Sequence, residues 1–358
     1  MIASEATDPL AWDDFLLSQR YSPFLQSWAM GEVYRKIGQE PVRIEVRSSE
    51  KIKAICFAHV VPARRGRHLS VPYGPILADA DALSPLMDEL RREATVHDCA
   101  FIRFSPFWPT QEPNTLLLQG ARSSPLHLLA EHIWYLPLTE RDVWTDPDLA
   151  PGKPKTEEAL LADMRSTARN LIRRAGKDGV TISLSEDPLA DLHHFITLHD
   201  ETRLRHGFTP YTNAFFRAQV ETFAASKQAL LYLAWYQGQV IASSIHMSFG
   251  GETSYHHGAS TAAFRKIPSS YLLQWTAICD ALKRGDSIYN FWGVAPVQKD
   301  EKEWRVTDDK HPFAGVTLFK TGFGGNHLPL HHCADVPLKM SYQLTRSFEL
   351  YRKWKRGF

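Results

Sequence analysis

One pattern occurs twice in this chain and limits its fold more than any other feature. Residues 41–61, PVRIEVRSSEKIKAICFAHVV, alternate apolar and polar positions on both sides of a polar turn. That period of two predicts a hairpin with one face buried. Residues 229–249, ALLYLAWYQGQVIASSIHMSF, repeat the scheme about a Gln-Gly turn. A third extended segment follows each hairpin, HLSVPYGPIL at 68–77 and TSYHHGAS at 253–260, and helical sequence precedes each. A helix is expected next in both halves, ADALSPLMDELRREATVHD at 80–98 and PSSYLLQWTAICDALKRG at 268–285. The second has Pro and Ser at its start, Lys-Arg in its last turn and Gly285 at its stop. SIYNFWGV (287–294) then reads as another strand.

At 358 residues the chain exceeds the usual size of one core, so the duplicated pattern predicts two domains. The stretch ERDVWTDPDLAPGKPKTEE (140–158) is rich in Pro and charge, lacks apolar period and reads as the link. This gives a first domain of 1–145, to which 316–358 returns, and a second of 146–315. The element order resembles the acyltransferase fold of the GNAT type taken twice. It implies an α+β protein with mixed, mostly antiparallel sheets flanked by helices. GNAT enzymes that use acetyl-CoA hold its pyrophosphate on backbone N–H groups of a Gly-rich helix start. Here RKIPSSYLL (265–273) puts Pro268 at the first glycine position, with no N–H and a fixed φ. The first half offers LADADALSP, which has no glycine and carries Asp79 and Asp81. Both cradles are damaged, so the expected acyl donor is not CoA.

Composition narrows the class further. With 44% apolar and 23% charged residues the chain falls outside disordered, collagenous and coiled-coil types. No run of about 18 apolar residues predicts a membrane span. The N-terminus, MIASEATDPLAWDD, is acidic and does not read as a signal peptide, so the expected location is the cytoplasm. Cys56, Cys99, Cys279 and Cys333 are scattered without CxxC spacing and read as buried thiols. His pairs at 193–194, 256–257 and 331–332 point their members apart, and no HExxH or Cys/His quartet exists, so no metal and no cofactor are expected. No G-x-S-x-G elbow is present either. The net charge of +1 gives no global attraction to polyanions, so anionic partners have to be met locally.

The sequence also resembles the Fem-type (FemABX) family. The motifs that carry the resemblance are FLQSWAMGEVYRKIG (24–38), VPYGPIL (71–77), NLIRRAGKDGV (170–180), SSYLLQW (269–275), YNFWGV (289–294) and HPFAGVTLFKTGFGG (311–325). They run in family order from about residue 24 to 330, and the last is the most specific. No heptad-bearing insertion is present, so the resemblance is to the armless, FemX-like type without a coiled-coil arm. It implies a monomeric aminoacyltransferase that moves an amino acid from aminoacyl-tRNA to an amine on a peptidoglycan precursor, touching the membrane surface at most transiently. Two other functions stand beside it: an acyl-CoA-dependent N-acyltransferase, and a non-catalytic module that binds tRNA or muropeptide.

The resemblance also assigns residues. Lys320, read as a strand-end lysine held at a rim before the glycines, lies where the aminoacyl ester reacts. A fixed cation there would stabilise the tetrahedral oxyanion and the leaving ribose alkoxide. Phe319 would shape the donor site, by stacking on the terminal adenine or excluding water. Lys36, at the end of the first helix, would meet the phosphates of the acceptor. Tyr211 in GFTPYTNAFF (207–216) stands where some members carry an arginine, with Arg205 as a substitute cation and Thr209 as a further candidate for binding the acceptor. Tyr255 and His256 replace paired tyrosines, and with His257 are candidates to accept the amine's proton. Arg165, Arg169, Arg173 and Lys177 recur at steps of four, a helical stripe suited to phosphates of tRNA or a nucleotide precursor, or simply a solvated face. The polar loop 295–312 is expected to act as a lid. The basic C-terminal YQLTRSFELYRKWKRGF, with Trp354 and Phe358 interleaved, is expected to be a packed terminal helix with a basic end, with contact to anionic lipid or RNA as the alternative.

Overall fold

The structure, a computed structural model, describes residues 1–63, 66–146, 151–206, 211–300 and 303–356. It divides into two compact units, Met1–Glu131 with Pro329–Phe358, and His132–Leu328. Unit one opens with β1 (Ile2–Glu5), β2 (Pro41–Ser48), β3 (Lys51–Val61), β4 (His68–Pro72), β5 (Ile76–Leu77), β6 (Phe101–Ser105) and β7 (Arg122–Ser123). Unit two supplies β8 (His132–Pro137), β9 (Thr181–Leu184), β10 (Ala229–Tyr236), β11 (Gln239–Phe249), β12 (Glu252–Ser260) and β13 (Ile288–Gly293). It continues through β14 (Val297–Lys299), β15 (Trp304–Val306) and β16 (Asn326–Pro329), before β17 (Ala334–Pro337) rejoins unit one.

The sheet of unit one runs β1-β2-β3-β4-β6-β17-β7, with β5 against β3. All its described pairings are antiparallel except β4 with β6. The helix Leu83–Val96 covers one face because Leu83, Leu86, Met87, Leu90 and Ala94 fall on one helical stripe and are buried. Each of the larger side chains contributes roughly 1.5–3 kcal/mol by leaving water.

Unit two repeats the plan in the order β16-β8-β13-β12-β11-β10-β9. Here only β12 with β13 is parallel among the described pairings. The helix Ser269–Arg284 packs Leu273, Ala277, Ile278 and Ala281 onto the sheet and stops where Gly285 takes φ +84. Each unit is therefore a GNAT-like α+β body with a mixed, mostly antiparallel sheet.

The sequence expectation placed the boundaries at 145/146 and 315/316, whereas the units divide at 131/132 and 328/329. The apolar run HIWYLP forms β8, which pairs with β13 and so already belongs to the second sheet. Of the expected link 140–158, the described residues fold back on β8: Glu140 N–H donates to the Lys153 carbonyl and Lys155 N–H to that of Leu138, at 2.9 and 2.8 Å. All four cysteines are buried free thiols. No described helix is long and apolar enough to cross a membrane.

Candidate active site

The parallel pair in unit two separates. β12 and β13 are bonded only over Glu252–Ser254 and Ile288–Asn290, yet β12 continues to Ser260 and β13 to Gly293. Past that point the two strands diverge into a wedge. Each carries an irregularity there. On β13 the register against β8 slips between Asn290 and Trp292, and Trp292 takes φ +66, unusual for a bulky residue. Its N–H is held by the Asn290 side chain at 2.7 Å. On β12, His257 pairs with Ile245 and Tyr255 with His246, leaving His256 as the extra residue of a bulge.

The bulge sorts the side chains of β12. Tyr255 packs against the core on the side of the helix Ser269–Arg284. His256 and His257 both turn to the other face. His256 meets the Gln219 amide at 3.2 Å and the Trp292 ring at 4.8 Å, while His257 lies on Phe216 at 4.9 Å. Tyr255 Oη also lies where a Cβ on Gly258 would stand, at 1.8 Å, so only glycine fits beneath it.

Lys320 meets the wedge from the adjoining helix. The expected strand over GVTLF is instead the helix Ala314–Thr321. Its polar residues satisfy themselves helically: Thr317 Oγ1 donates to the Phe313 carbonyl and Thr321 Oγ1 to that of Thr317. Thr317, Lys320 and Thr321 recur at three and four positions and share the buried face. The glycines that follow turn the chain against β8, where a Cβ on Gly325 would lie 2.3 Å from the Tyr135 carbonyl oxygen.

The ammonium of Lys320 is thereby withdrawn from solvent, with the residue 7% exposed. Nζ donates to the Gly293 carbonyl at 2.6 Å and lies 5.6 Å from the centre of the Tyr255 ring. A carbonyl and an aromatic face are weak compensation for a buried cation. Burial accordingly lowers the amine from its ordinary value of 10.5 to about 7. Near neutral pH this group exchanges its charge readily, a property that concentrates at working sites.

The other expected residues divide around this point. Phe319 is half-buried and packs edge-on against Tyr271 at 4.9 Å and Phe323 at 5.4 Å, so it helps wall the same side. Arg165 does not begin a four-step stripe, because it precedes the helix Ser166–Lys177 as its cap residue. Its guanidinium instead donates to Thr321 Oγ1 at 2.8 Å, beside Lys320. Arg169 donates to the carbonyls of Leu161, Ala162 and Met164 and closes the preceding short helix. Arg173 and Lys177 are exposed.

Arg205 donates to the Ser260 carbonyl at 3.2 Å, and Tyr211 stacks on Phe215 and meets His257 edge-on at 5.4 Å. These belong with His256 to the face opposite Tyr255. Lys36 ends the helix Trp28–Lys36 in unit one and is exposed. Thr209 lies outside the described residues. The loop 295–312 contains the hairpin of β14 and β15, with Trp304 edge-on to Trp134 at 5.5 Å.

The expected proton acceptors are poorly suited to that role. Burial pushes Tyr255 up to about 12, lowers His256 to about 3, and takes His257 lower still, helped by its histidine neighbours. All three stay neutral at working pH and none is a good base there. Two groups in contact with this region were not expected from the sequence. The Gly293 carbonyl that receives Lys320 is aimed by the Trp292 kink, which no residue pattern announces. Glu252, where the wedge closes, accepts from Ser254 and from Asn290 at 2.8 Å, and burial raises it to about 7 against those two hydrogen bonds. No group of three or more metal-ligating side chains gathers among the described residues.

Comparison with known proteins bears on both units. The FemAB family model matches residues 8–119, and a model described as an acetyltransferase (GNAT) domain matches residues 162–303. Aminoacyltransferase FemA of Staphylococcus aureus is 38% identical over 72 residues, which are 20% of this chain and 15% of FemA. The chain thus spans a small part of that relative's length. Among solved structures, FemX superposes with a TM-score of 0.77 at 17% identity, covering 98% of this chain and all of FemX. L-PGS from Bacillus licheniformis gives 0.51 at 13% identity over 98% of this chain and 97% of its own. A tandem GNAT protein of the clavulanic acid pathway gives 0.50 at 13% identity over 94% and 98%. FemAB sequence in the first GNAT-like unit, GNAT sequence in the second and the FemX fold throughout make the chain similar to the Fem-type proteins.

Proposed function

We propose that this protein is an aminoacyltransferase whose second unit carries the chemistry, moving an aminoacyl group from aminoacyl-tRNA to an amine of a peptidoglycan precursor. One observation carries the reading: a buried, acid-free Lys320 at the mouth of a split parallel strand pair. The amine nitrogen attacks the ester carbonyl, a C–N bond forms, and the ester C–O bond to ribose breaks. Negative charge gathers first on the carbonyl oxygen and then on the departing ribose oxygen. Protonated Lys320 stabilises that charge where little water competes. Tyr255, His256 and His257 are not competent bases, and Glu252 is engaged by Ser254 and Asn290 where the wedge closes, so the proton lost by the amine passes to the ribose oxygen that leaves. Atoms and charge then balance without a cofactor.

The CoA alternative is disfavoured at both cradles. Pro268 precedes the helix Ser269–Arg284 with no side-chain cap and no N–H to offer a phosphate. In unit one the Asp79 carboxylate accepts from Asp81 N–H, placing a negative charge where phosphate would lie. The exposed Arg173 and Lys177 provide a basic strip for tRNA phosphates. Lys36 in unit one, and separately Tyr211 and Arg205 in unit two, are candidate contacts to the acceptor, and the location that suits this work is the cytoplasm. The test offers purified protein charged tRNA and a panel of muropeptide amines, with acetyl-CoA in parallel. Amide formation from charged tRNA alone supports the reading. Acylation of the same amines by acetyl-CoA, with no transfer from tRNA, would falsify it.

A further inference from the structure

The C-terminal helix of unit one, Tyr342–Arg356, carries its apolar residues in two directions. Tyr342 is fully buried, Thr345 nearly so, and Glu349 holds Arg103 at 2.7 Å, so these three fix the inward face. Leu344, Tyr351 and Trp354 fall on a second stripe, at steps of seven and three, pointing the other way. They are 77%, 53% and 80% exposed, and Met340 just before the helix is 84% exposed. A helix packed merely to finish a domain would turn such residues inward.

The charges that the helix carries beside this stripe are basic, apart from Glu349. The helix carries Arg346, Arg352, Lys353 and Lys355, and its one acid, Glu349, is committed to Arg103. Lys353 and Lys355 flank Trp354 and are exposed. Next to the stripe a surface hollow of about 550 Å³ is lined by Leu344 and Phe348 on one side and by Arg67, Lys339 and Ser341 on another. Lys339 is shared there with Asp98. Aliphatic side chains around an amphipathic aromatic, edged by lysine and arginine, match the interface of an anionic bilayer. The aromatic settles at headgroup level, the aliphatics enter the acyl boundary, and the long cationic stems reach back to phosphate. Nucleic acid would use the cations but has no place for Met340 and Leu344.

We infer that the outward face of this helix docks the protein on anionic lipid, with the adjacent hollow receiving a phosphate-bearing headgroup. The binding is independent of the transfer reaction, which it would serve by bringing the enzyme to a lipid-linked acceptor. The test is sedimentation of the full chain with vesicles of phosphatidylcholine alone and of phosphatidylcholine with phosphatidylglycerol. The expected result is binding to the anionic vesicles only, weakened by salt. The double variant Leu344→Ser, Trp354→Ser alters exposed positions and should keep its fold by circular dichroism while partitioning at least roughly tenfold less. Lys353→Gln with Lys355→Gln should weaken binding by about fivefold per charge. Free glycerol phosphate and tRNA are added as competitors. Absence of vesicle binding, equal binding to neutral vesicles, or a helix that binds tRNA and not lipid overturns the inference. None of these results depends on whether amino acids are transferred.

Discussion

The two units solve one structural problem in opposite ways. Among the described pairings each has a single parallel strand pair, with a buried cation close to it. In unit one β4 and β6 are in register over their whole length, from His68 with Phe101 to Pro72 with Ser105. Beyond the pair the Gln26 side chain donates to the Pro72 and Phe57 carbonyls and accepts from Phe57 N–H, filling the space. The cation, Arg103, donates twice to Asp335, at 2.7 and 2.8 Å, and twice to Glu349. Burial alone would lower that guanidinium, but its two carboxylates outweigh burial and hold it up. In unit two the parallel pair parts after three residue pairs and the cation has only a carbonyl and a ring. A buried charge that is fully paired serves the fold. One left short of partners is available to a substrate.

The sharpest way to break this contrast is to delete each cation. Arg103→Met leaves the buried Asp335 and the partly buried Glu349 without their shared cation and should cost about 3–5 kcal/mol of stability by denaturant titration. Lys320→Met strands no acid, and only the Gly293 carbonyl loses a donor. Its stability should lie within about 1 kcal/mol of the parent, or above it. Equal losses in the two variants would erase the distinction between the units.

A smaller effect tests the wedge itself. Gly258→Ala forces the Tyr255 phenol aside, because the new methyl would sit 1.8 Å from its oxygen. A loss of about 1–3 kcal/mol is expected, together with slower transfer and little change in the affinity of unit one for any ligand. An alanine variant with full activity would mean that Tyr255 does not define the site.

Smallest per step is a titration effect. The Lys320 amine titrates at about 7 in the folded chain, below its ordinary 10.5. Between those values the unfolded chain binds more protons than the folded one, so stability rises with pH across that window. The slope should reach about 1.4 kcal/mol per pH unit. Below pH 7 the amine is charged in both states and the cost of burying it is fully present. Lys320→Met should lack this slope, and Arg103→Met should keep it. A parent protein whose stability is no steeper than that of Lys320→Met would contradict the shifted titration.

Much of this architecture was legible in the residues. Period-two alternation located both hairpins, and the Pro-Ser start and Gly285 stop located the helix Ser269–Arg284. These signals are local, so a short window contains them. The segment 315–319 misled because Val316, Thr317, Leu318 and Phe319 have high β-propensity. The helix wins through the buried Thr317–Lys320–Thr321 face and the bond from Ala295 N–H to Thr317, which joins residues 22 apart in sequence. The boundary at 131/132 was missed for a similar reason, since β8 declares its sheet only by pairing with β13. Lys320 was singled out by its motif as a candidate, but its burial and the positive φ of Trp292 beside its acceptor are tertiary facts. The bulge that divides Tyr255 from His256 likewise depends on register with β11.

The most direct test of the central claim is single-turnover transfer by folded Lys320→Met with charged tRNA and a muropeptide amine. Loss of a charge aimed at the developing oxyanion should slow the chemical step by about 10²–10³-fold while tRNA binding persists. Transfer at the parent rate would show that this buried amine is a passenger of the fold and not the charge on which the reaction depends.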